Sequence, residues 1–340
     1  MYFVKVKDNI EKVEKIFFNL NIPSISSLFR TKEWLRDSQW RLGDKEIYLE
    51  LFYQGKPLAL FPMIIYTKIS DYPPIDPHKF IENALKTKIE NQSVAYCATL
   101  FGLGSPILVK EKNIDWDSVM YTIKLTLKKE FNCNYLVLGY CSTYDTPFSN
   151  YKFNKLTPTI FEYKRNGILK IEDFSSFEDY KKSLKKKYRE NIKKEIRNFQ
   201  NNGLVIKNTE IKDCNIEELG KLSSNVFLKY GSSVEPEKLS KFLDYIGNTF
   251  PNNSRVLSCM KDGKILTFLM YIMYDGVVYS HTYGKNYELD QYGSYFIISF
   301  HELIKYSIDR KYKYIIYGSG SEKAKEGKGV IMQNTYGYVF

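Results

Sequence analysis

The chain of 340 residues carries 50 lysine and arginine residues against 39 acidic ones, a formal net charge of +11 at pH 7. Hydrophobic residues make up 44% of the chain and aromatic residues 16%, which excludes an intrinsically disordered protein. The longest apolar run, Ile265 to Tyr274, is far too short for a membrane-spanning helix, and the N-terminal segment lacks the continuous apolar stretch of a signal peptide. We therefore expect a cytoplasmic globular protein.

Cysteine and histidine give no sign of a metal site in the sequence. The five cysteines are odd in number and include no C-x-x-C pair, and the three histidines are scattered. Structural zinc needs clustered ligands and a disulfide framework needs paired cysteines. The sequence therefore predicts neither a bound metal nor a disulfide framework.

The first half of the chain predicts a hairpin followed by a helix and a strand. Two apolar runs, 46–53 and 57–66, flank Gln54-Gly55-Lys56, which suits a tight turn. Apolar residues then recur with helical spacing over 119–131, and a strand follows at 135–140.

Loops and a linker punctuate this half. The proline-rich segment 72–77 and the glycine-punctuated segment 101–106 predict surface turns, because proline removes a backbone donor and glycine permits unusual dihedral angles. Asn166-Gly167 is the best candidate for a linker between two domains.

A lysine-rich amphipathic helix is predicted next. Ser175 and Glu178 suggest a capping box, and Gly203 supplies a left-handed stop. Nine basic residues between 181 and 197 face only Glu190 and Glu195, a local net charge of plus seven. Such a surface suits a polyanion, such as tRNA, an acidic carrier protein or a nucleotide phosphate; the alternative is a solvated face. The residues predicted to bind the donor here are Lys185, Lys186, Arg189 and Lys193.

The C-terminal part repeats the order of the first half. Asp262-Gly263 predicts a second hairpin, and a strand over 277–283 precedes a helix that begins at Gly293 and Ser294. A buried strand at 312–317 then leads into a glycine- and lysine-rich loop.

This repetition predicts an α/β (α+β) fold of two domains, residues 1–167 and 168–340, each a mixed, mainly antiparallel sheet flanked by helices. The alternative is that hairpins and helix-strand units recur in any α/β protein.

A family resemblance starts at the lysine-rich helix. Lys187, Arg189, Asn191 and Ile192, followed by Asn202-Gly203-Leu204, resemble the K-x-R-x-N-I pattern of FemABX-like and related GNAT-fold acyltransferases, with Glu195 in place of the usual alanine. The resemblance covers mainly residues 170–340. It implies two tandem GNAT-like domains that join an acyl or aminoacyl group to an amine, with aminoacyl-tRNA or a phosphopantetheine thioester as donor.

The resemblance also implies a donor-binding turn. GNAT enzymes that use coenzyme A hold its pyrophosphate at a Q/R-x-x-G-x-G/A turn before a helix. The segment 291–296 matches this turn only in part, because glycine falls at the third position and Ser294 and Phe296 occupy the two glycine positions. Gln291, Gly293 and Ser294 are the corresponding binding residues, and a simple helix cap is the alternative.

Candidate catalytic residues follow from the chemistry of acyl transfer to an amine, which needs positioning and a donor to the developing oxyanion. His281 and Tyr283 lie on the predicted strand at 277–283, and Lys323 lies in the loop after the last buried strand. His281 and Lys323 each have a structural alternative: a hydrogen-bonded structural histidine and an ordinary exposed lysine. His301 is expected to pack in the core.

The sequence thus predicts an N-acyltransferase that forms an amide from acyl-CoA or acyl carrier protein and an amine of a small molecule or peptide. The alternatives are an aminoacyl-tRNA-dependent aminoacyltransferase and a non-catalytic module that binds nucleic acid or a carrier protein. No permanently bound cofactor is expected. The expected partners are the donor carrier and the amine acceptor.

Overall fold

The computed structural model describes residues 1–20, 24–37, 45–69, 76–89, 92–99, 103–109, 113–142, 146 and 148–340. Residues 72–75 and 101–102 of the two predicted turns lie outside these ranges. The chain divides into two compact units, Met1–Arg165 with Asn334–Phe340, and Asn166–Gln333.

The elements of both units follow the chain in order. The strands are β1 (Tyr2–Lys7), β2 (Lys45–Tyr53), β3 (Lys56–Tyr66), β4 (Val94–Cys97), β5 (Leu108–Val109), β6 (Tyr135–Cys141), β7 (Thr159–Lys170), β8 (Val205–Glu210), β9 (Ser254–Lys261), β10 (Lys264–Tyr274), β11 (Val277–Lys285), β12 (Tyr314–Gly318) and β13 (Ile331–Val339). The helices are α1 (Lys32–Asp37), α2 (Pro77–Leu85), α3 (Trp116–Phe131), α4 (Phe177–Ser183), α5 (Lys186–Asn201), α6 (Ile216–Lys229), α7 (Pro236–Thr249), α8 (Ser294–Phe296), a π-helical segment (Ile297–Glu302), α9 (Leu303–Asp309) and α10 (Glu322–Glu326).

The two units have the same strand order. In the first unit β1, β2, β3, β4, β6 and the end of β13 are neighbours, and β5 pairs with β3. In the second unit the order is β8, β9, β10, β11, β12 and the end of β7. In each unit the fourth and fifth strands are parallel, and the other neighbours in this order are antiparallel. The predicted fold class, a pair of mixed, mainly antiparallel α/β units, is confirmed.

Both predicted hairpins form, and for the same local reason. Gln54 and Gly55 have φ values of 51° and 77°, and Asp262 and Gly263 have 49° and 77°. Two successive residues in the left-handed region match the right-handed twist of the flanking strands. These turns fix the register of β2 with β3 and of β9 with β10.

The predicted continuous lysine-rich helix is wrong in one respect, because it is two helices. Leu184 is extended, with φ −80° and ψ 153°, between α4 and α5. Its side chain is buried in the core of the second unit. The cap lies one residue later than predicted: the Ser176 hydroxyl accepts from the Asp179 amide. The stop at Gly203 has the expected positive φ of 63°.

The boundary between the units also differs from the predicted one. The prediction places every residue after 167 in the second domain, whereas residues 334–340 belong to the first unit. There Tyr338 and Phe340 are buried in the core that packs against α3. Residues 159–165 of β7 belong to the first unit, and the rest of β7 to the second.

Candidate active site

Two neighbouring strands of the second unit separate partway along their length. β11 pairs with β12 over residues 277–279, although β11 continues to Lys285. His281 is an extra residue in the register of β11 with β10, and Tyr317 is an extra residue in the register of β12 with β7. A bulge bends its strand and interrupts the ladder, so the bulges lie just beyond the last paired residues and mark where the strands separate.

Aromatic side chains connect the separated strands. The ring centroid of Tyr283 lies 4.6 Å from that of Tyr295, which lies 5.8 Å from that of Phe300. Phe300 stacks on Tyr317 at 4.9 Å. Edge-to-face and stacked rings of this kind hold one another rigidly. A row of packed rings therefore leads from β11 through the helical segment to β12.

The side chains of His281 and Tyr283 contact different helices. The His281 ring lies 5.4 Å from Phe242 of α7, and its Nδ1 lies 2.9 Å from the Thr282 hydroxyl. Tyr283 instead packs against Tyr295 of α8. Burial raises the pKa of Tyr283 above its usual range, so its hydroxyl stays protonated at neutral pH and can donate a hydrogen bond.

An acidic side chain lies at the start of the helical segment. The buried Asp290 accepts hydrogen bonds from the Ser294 hydroxyl at 2.7 Å and the Tyr292 amide at 3.1 Å. Its carboxylate also pairs with Lys285 at 2.9 Å. The start of a helix attracts anions through its free amides and its dipole. Here the chain supplies that anion itself.

The predicted donor-binding turn is therefore arranged differently from expectation. Gly293 has a φ of 71°, which favours glycine, and Gln291 is exposed. Ser294 is buried, and its hydroxyl is bonded to Asp290. A phosphate at this turn would meet a fixed negative charge.

The loop after β12 contains one exposed and one internally bonded lysine. Lys323 is exposed on α10. Lys325 is buried, and its ammonium donates to the main-chain carbonyls of Tyr317, Gly318 and Ser319 at 3.0, 2.8 and 2.8 Å. Burial lowers the pKa of Lys325 to about 8. Three acceptors use all three ammonium donors, so Lys325 fixes the turn that follows the bulge.

A buried cluster of charged groups lies behind the aromatic row. One oxygen of Glu195 accepts from His301 Nε2 at 2.8 Å and also contacts the Lys328 ammonium. Lys328 lies 5.4 Å from the Phe296 ring centroid. Burial lowers the pKa of His301 and of Lys328. Burial alone would raise the pKa of Glu195, but the hydrogen bonds from His301 and Lys328 lower it overall.

The protonation of His301 follows from this arrangement. An ionised carboxylate only accepts, so Nε2 must carry the hydrogen of a neutral ring. Nδ1 then presents a buried lone pair, for which no hydrogen-bond partner lies among the described residues. Sequence reasoning expected only core packing for His301 and missed its partners. Glu195 was the signal in the sequence: it is next to Ile196 of the apolar stripe, and an acid that is buried requires a partner.

Two of the predicted donor-binding residues of the lysine-rich segment already have partners within the chain. Arg189 donates to the Leu184 carbonyl at 2.7 Å and so closes the joint between α4 and α5. Lys193 pairs with Glu190 at 3.0 Å. The remaining exposed cations form what we call the basic helix surface, which consists of Lys182, Lys185, Lys186, Lys187, Lys194 and Arg197.

Solved structures resemble this fold over nearly its whole length. FemX matches with a TM-score of 0.60 and 9% identity, covering 94% of each chain. A conserved protein of Bacteroides thetaiotaomicron matches with a TM-score of 0.60 and 15% identity, covering 99% of each. A tandem GNAT protein from the clavulanic acid biosynthesis pathway has a TM-score of 0.54 and 6% identity, covering 100% of this chain and 98% of that one. Such identities establish the fold alone. No curated protein sequence matches significantly.

The fold is of the GNAT type, and the family to which the chain belongs makes it a transferase. The chain belongs to the FemAB-like family, described as peptidoglycan biosynthesis/recognition, which matches residues 106–339. Its reaction is thus part of peptidoglycan-related biosynthesis. Within the described ranges, no helix is long and apolar enough to cross a membrane. The same part of the chain contains no group of three or more side chains suited to a metal ion.

Proposed function

We propose that the chain transfers an aminoacyl group from aminoacyl-tRNA to an amine of a peptidoglycan precursor. The amine nitrogen attacks the ester carbonyl and an amide bond forms. The ester bond to the terminal ribose breaks, and the ribose hydroxyl leaves with the proton that the amine loses. A neutral amine, a donor to the oxyanion and correct positioning suffice for this reaction.

Asp290 is the observation that carries the choice of donor. Coenzyme A would bring a pyrophosphate to the turn beside this carboxylate, where like charges repel. Lys285 offsets part of that repulsion. Aminoacyl-tRNA has no pyrophosphate to place there. Its phosphates are also attracted by the basic helix surface.

The predicted site residues take the following roles in this proposal. Tyr283, protonated and packed on Tyr295, donates to the oxyanion. His281, half-buried at the bulge and packed against Phe242, takes up the proton of the attacking amine and passes it to the leaving ribose oxygen. Lys323, exposed after β12, binds a phosphate or carboxylate of a substrate.

A phosphopantetheine donor is the second candidate. The left-handed Gly293 retains a turn that exposes backbone at the start of the helical segment. An acidic acyl carrier protein could reach the basic helix surface, as the sequence predicts. This candidate requires the phosphate to avoid Asp290.

The test compares donors directly. The purified chain is incubated with one amine acceptor and with labelled aminoacyl-tRNA, acyl-CoA or acyl carrier protein, and the product is detected by intact mass. We expect product from aminoacyl-tRNA alone, and a fall of about a hundredfold in its rate in Tyr283→Phe, which removes one oxyanion donor. The exposed Tyr121→Phe on α3 serves as the control. Product from either thioester, with charged tRNA left unused, would refute the proposal.

A further inference from the structure

Two tyrosine side chains near the end of β11 are exposed to solvent. Tyr230, which caps α6, is 75% exposed, and Tyr287, just beyond β11, is 38% exposed. Single exposed aromatics are common on protein surfaces, but these two are neighbours. Burial is the largest cause of the raised pKa of Tyr287, and the nearby Tyr230 hydroxyl raises it further.

Lysine ammonium groups lie beside the same rings. Lys229 lies 5.8 Å from the centroid of Tyr287, and Lys285 lies 5.4 Å from it. Lys285 is paired with the buried Asp290, whereas Lys229 is exposed at the end of α6. We call Tyr230, Tyr287 and Lys229 the tyrosine platform.

The loop that carries Tyr287 is ordered by its own hydrogen bonds. Asn286 accepts from the amides of Glu288 and Leu289 at 3.1 Å each, and its amide donates to the Leu266 carbonyl at 2.8 Å. The Asp290 amide donates back to the Asn286 carbonyl at 3.0 Å. Tyr287 is therefore presented by a fixed backbone, which reduces the entropy lost when a planar group stacks on it.

The platform lies near the aromatic row of the candidate active site. Burial is the largest cause of the raised pKa of Tyr283, and the nearby Tyr287 hydroxyl raises it further. Tyr295 has its pKa raised to about 12, by burial first and then by Tyr230. The tyrosine platform therefore lies within electrostatic range of the packed pair Tyr283 and Tyr295.

We propose that the tyrosine platform binds the unpaired nucleotides at the 3′ end of the RNA donor by base stacking. Exposed rings beside lysine ammonium groups suit a single strand, because bases stack on the rings and phosphates meet the cations. Duplex RNA offers no such free base faces. Of the two acids in this loop, Asp290 is paired with Lys285, whereas the exposed Glu288 repels phosphate, so stacking rather than charge supplies the binding. This proposal rests on aminoacyl-tRNA being the donor.

The experiment uses two uncharged RNA probes and no catalysis. One is a labelled acceptor-stem minihelix that ends in an unpaired ACCA overhang, and the other is the same minihelix with blunt ends. Fluorescence anisotropy gives the dissociation constant of each probe with the full chain. We expect the overhang to improve binding about tenfold, the effect of one stacked base.

Matched variants separate stacking from other effects. Tyr230→Ala and Tyr287→Ala should each reduce the advantage of the overhang severalfold without changing blunt-end binding. Tyr230→Phe should keep the advantage, because a base stacks on a phenyl ring as well. Tyr121→Ala, which removes a tyrosine 54% exposed on α3, is the control. Lys229→Ala should instead lower the salt dependence of overhang binding by about one unit of slope.

The outcomes distinguish this proposal from the proposed donor. Equal binding of the two probes, or an unchanged overhang advantage in the Tyr230→Ala and Tyr287→Ala double variant, would overturn the platform, even if aminoacyl-tRNA proves to be the donor. An overhang advantage that these variants abolish supports the platform, even where the donor assay shows no aminoacyl transfer. Thermal melting of each variant confirms that it is folded.

Discussion

A single buried carboxylate changes what the start of a helical segment can bind. Asp290 is held by Ser294, the Tyr292 amide and Lys285, so its charge is fixed at the turn. Replacement by asparagine retains an acceptor for Ser294 and removes the charge. The effect of this one charge on an incoming phosphate is therefore measurable separately from the shape of the turn.

We expect Asp290→Asn to bind coenzyme A at least tenfold more tightly than the parent, because the repulsion from a fixed charge is removed. Isothermal titration calorimetry measures both affinities. Asp290→Glu keeps the charge and should bind as weakly as the parent. Equal affinity in all three proteins would show that Asp290 does not exclude the pyrophosphate.

His301 gives a second prediction at the residue scale. Burial lowers its folded-state pKa below the usual 6.5, so above pH 6.5 the ring is neutral in both folded and unfolded chains. As the pH falls below 6.5, the unfolded state gains a proton that the folded state refuses. The free energy of unfolding must therefore fall until the pH passes the folded-state pKa. Each unit of pKa difference amounts to about 1.4 kcal/mol.

Urea unfolding between pH 8 and pH 5 tests this expectation. The parent should lose stability over that range more steeply than His301→Gln, which can still donate to Glu195 but has no ring to protonate. The groups that face His301 are Glu195, Lys328 and Lys181, with the Phe177 ring beside it. Parallel pH profiles for the two proteins would contradict this expectation, because they would show that His301 binds its proton equally well in the folded and unfolded states.

At the scale of elements, α5 presents cations that the core does not use. Its buried side, with Ile192, packs into the second unit, whereas Lys185 and Lys186 lie in solvent. Substitutions that change the charge of these exposed lysines therefore leave the packing of the core undisturbed. Arg189 does not belong to this group, because it holds the joint with α4.

The triple replacement of Lys185, Lys186 and Lys193 by glutamate should weaken the binding of charged tRNA at least tenfold, because three attractions become repulsions. The slope of log affinity against log salt should also fall by about three. Filter binding at several salt concentrations measures both quantities. Lys129→Glu on the exposed face of α3 is the control. A folded triple variant with unchanged affinity would make α5 only a solvated surface.

Local sequence patterns predicted the elements whose causes are local. Asp262-Gly263 specifies its hairpin through two positive φ values, and helical spacing located the segment that contains α8 and α9. The break at Leu184 was missed, because a short interruption leaves the four-residue spacing of Tyr180, Leu184 and Tyr188 intact. Asp290 was missed for another reason: a carboxylate becomes a cap only when the fold brings Ser294 and Lys285 to it.

At the scale of the whole molecule, the sixth strand of each unit pairs with a strand far away in the sequence. The first unit ends with β13, whose Tyr336, Tyr338 and Val339 pair with β6. The second unit ends with β7, whose residues 167–170 pair with β12. The repeated pattern in the sequence predicted two units of similar content. The sequence pattern could not assign these two strands to a unit, because a short apolar run is compatible with the core of either unit.

The assignment of the C-terminal strand to the first unit gives the last prediction. Tyr338 is buried, with its ring 5.4 Å from Phe148, and Phe148 lies 5.1 Å from Trp116. Loss of this ring leaves a cavity in the first core and should cost about 3–5 kcal/mol. All three tryptophans of the sequence lie before residue 165, so their fluorescence reports the first unit alone. Tyr338→Ala should therefore lower the urea midpoint seen by tryptophan, although the change lies at the other end of the chain. Ile331→Ala, at a side chain 63% exposed in the second unit, should leave that midpoint unchanged. If residues 168–340 formed a self-contained domain, the tryptophan transition would ignore both substitutions.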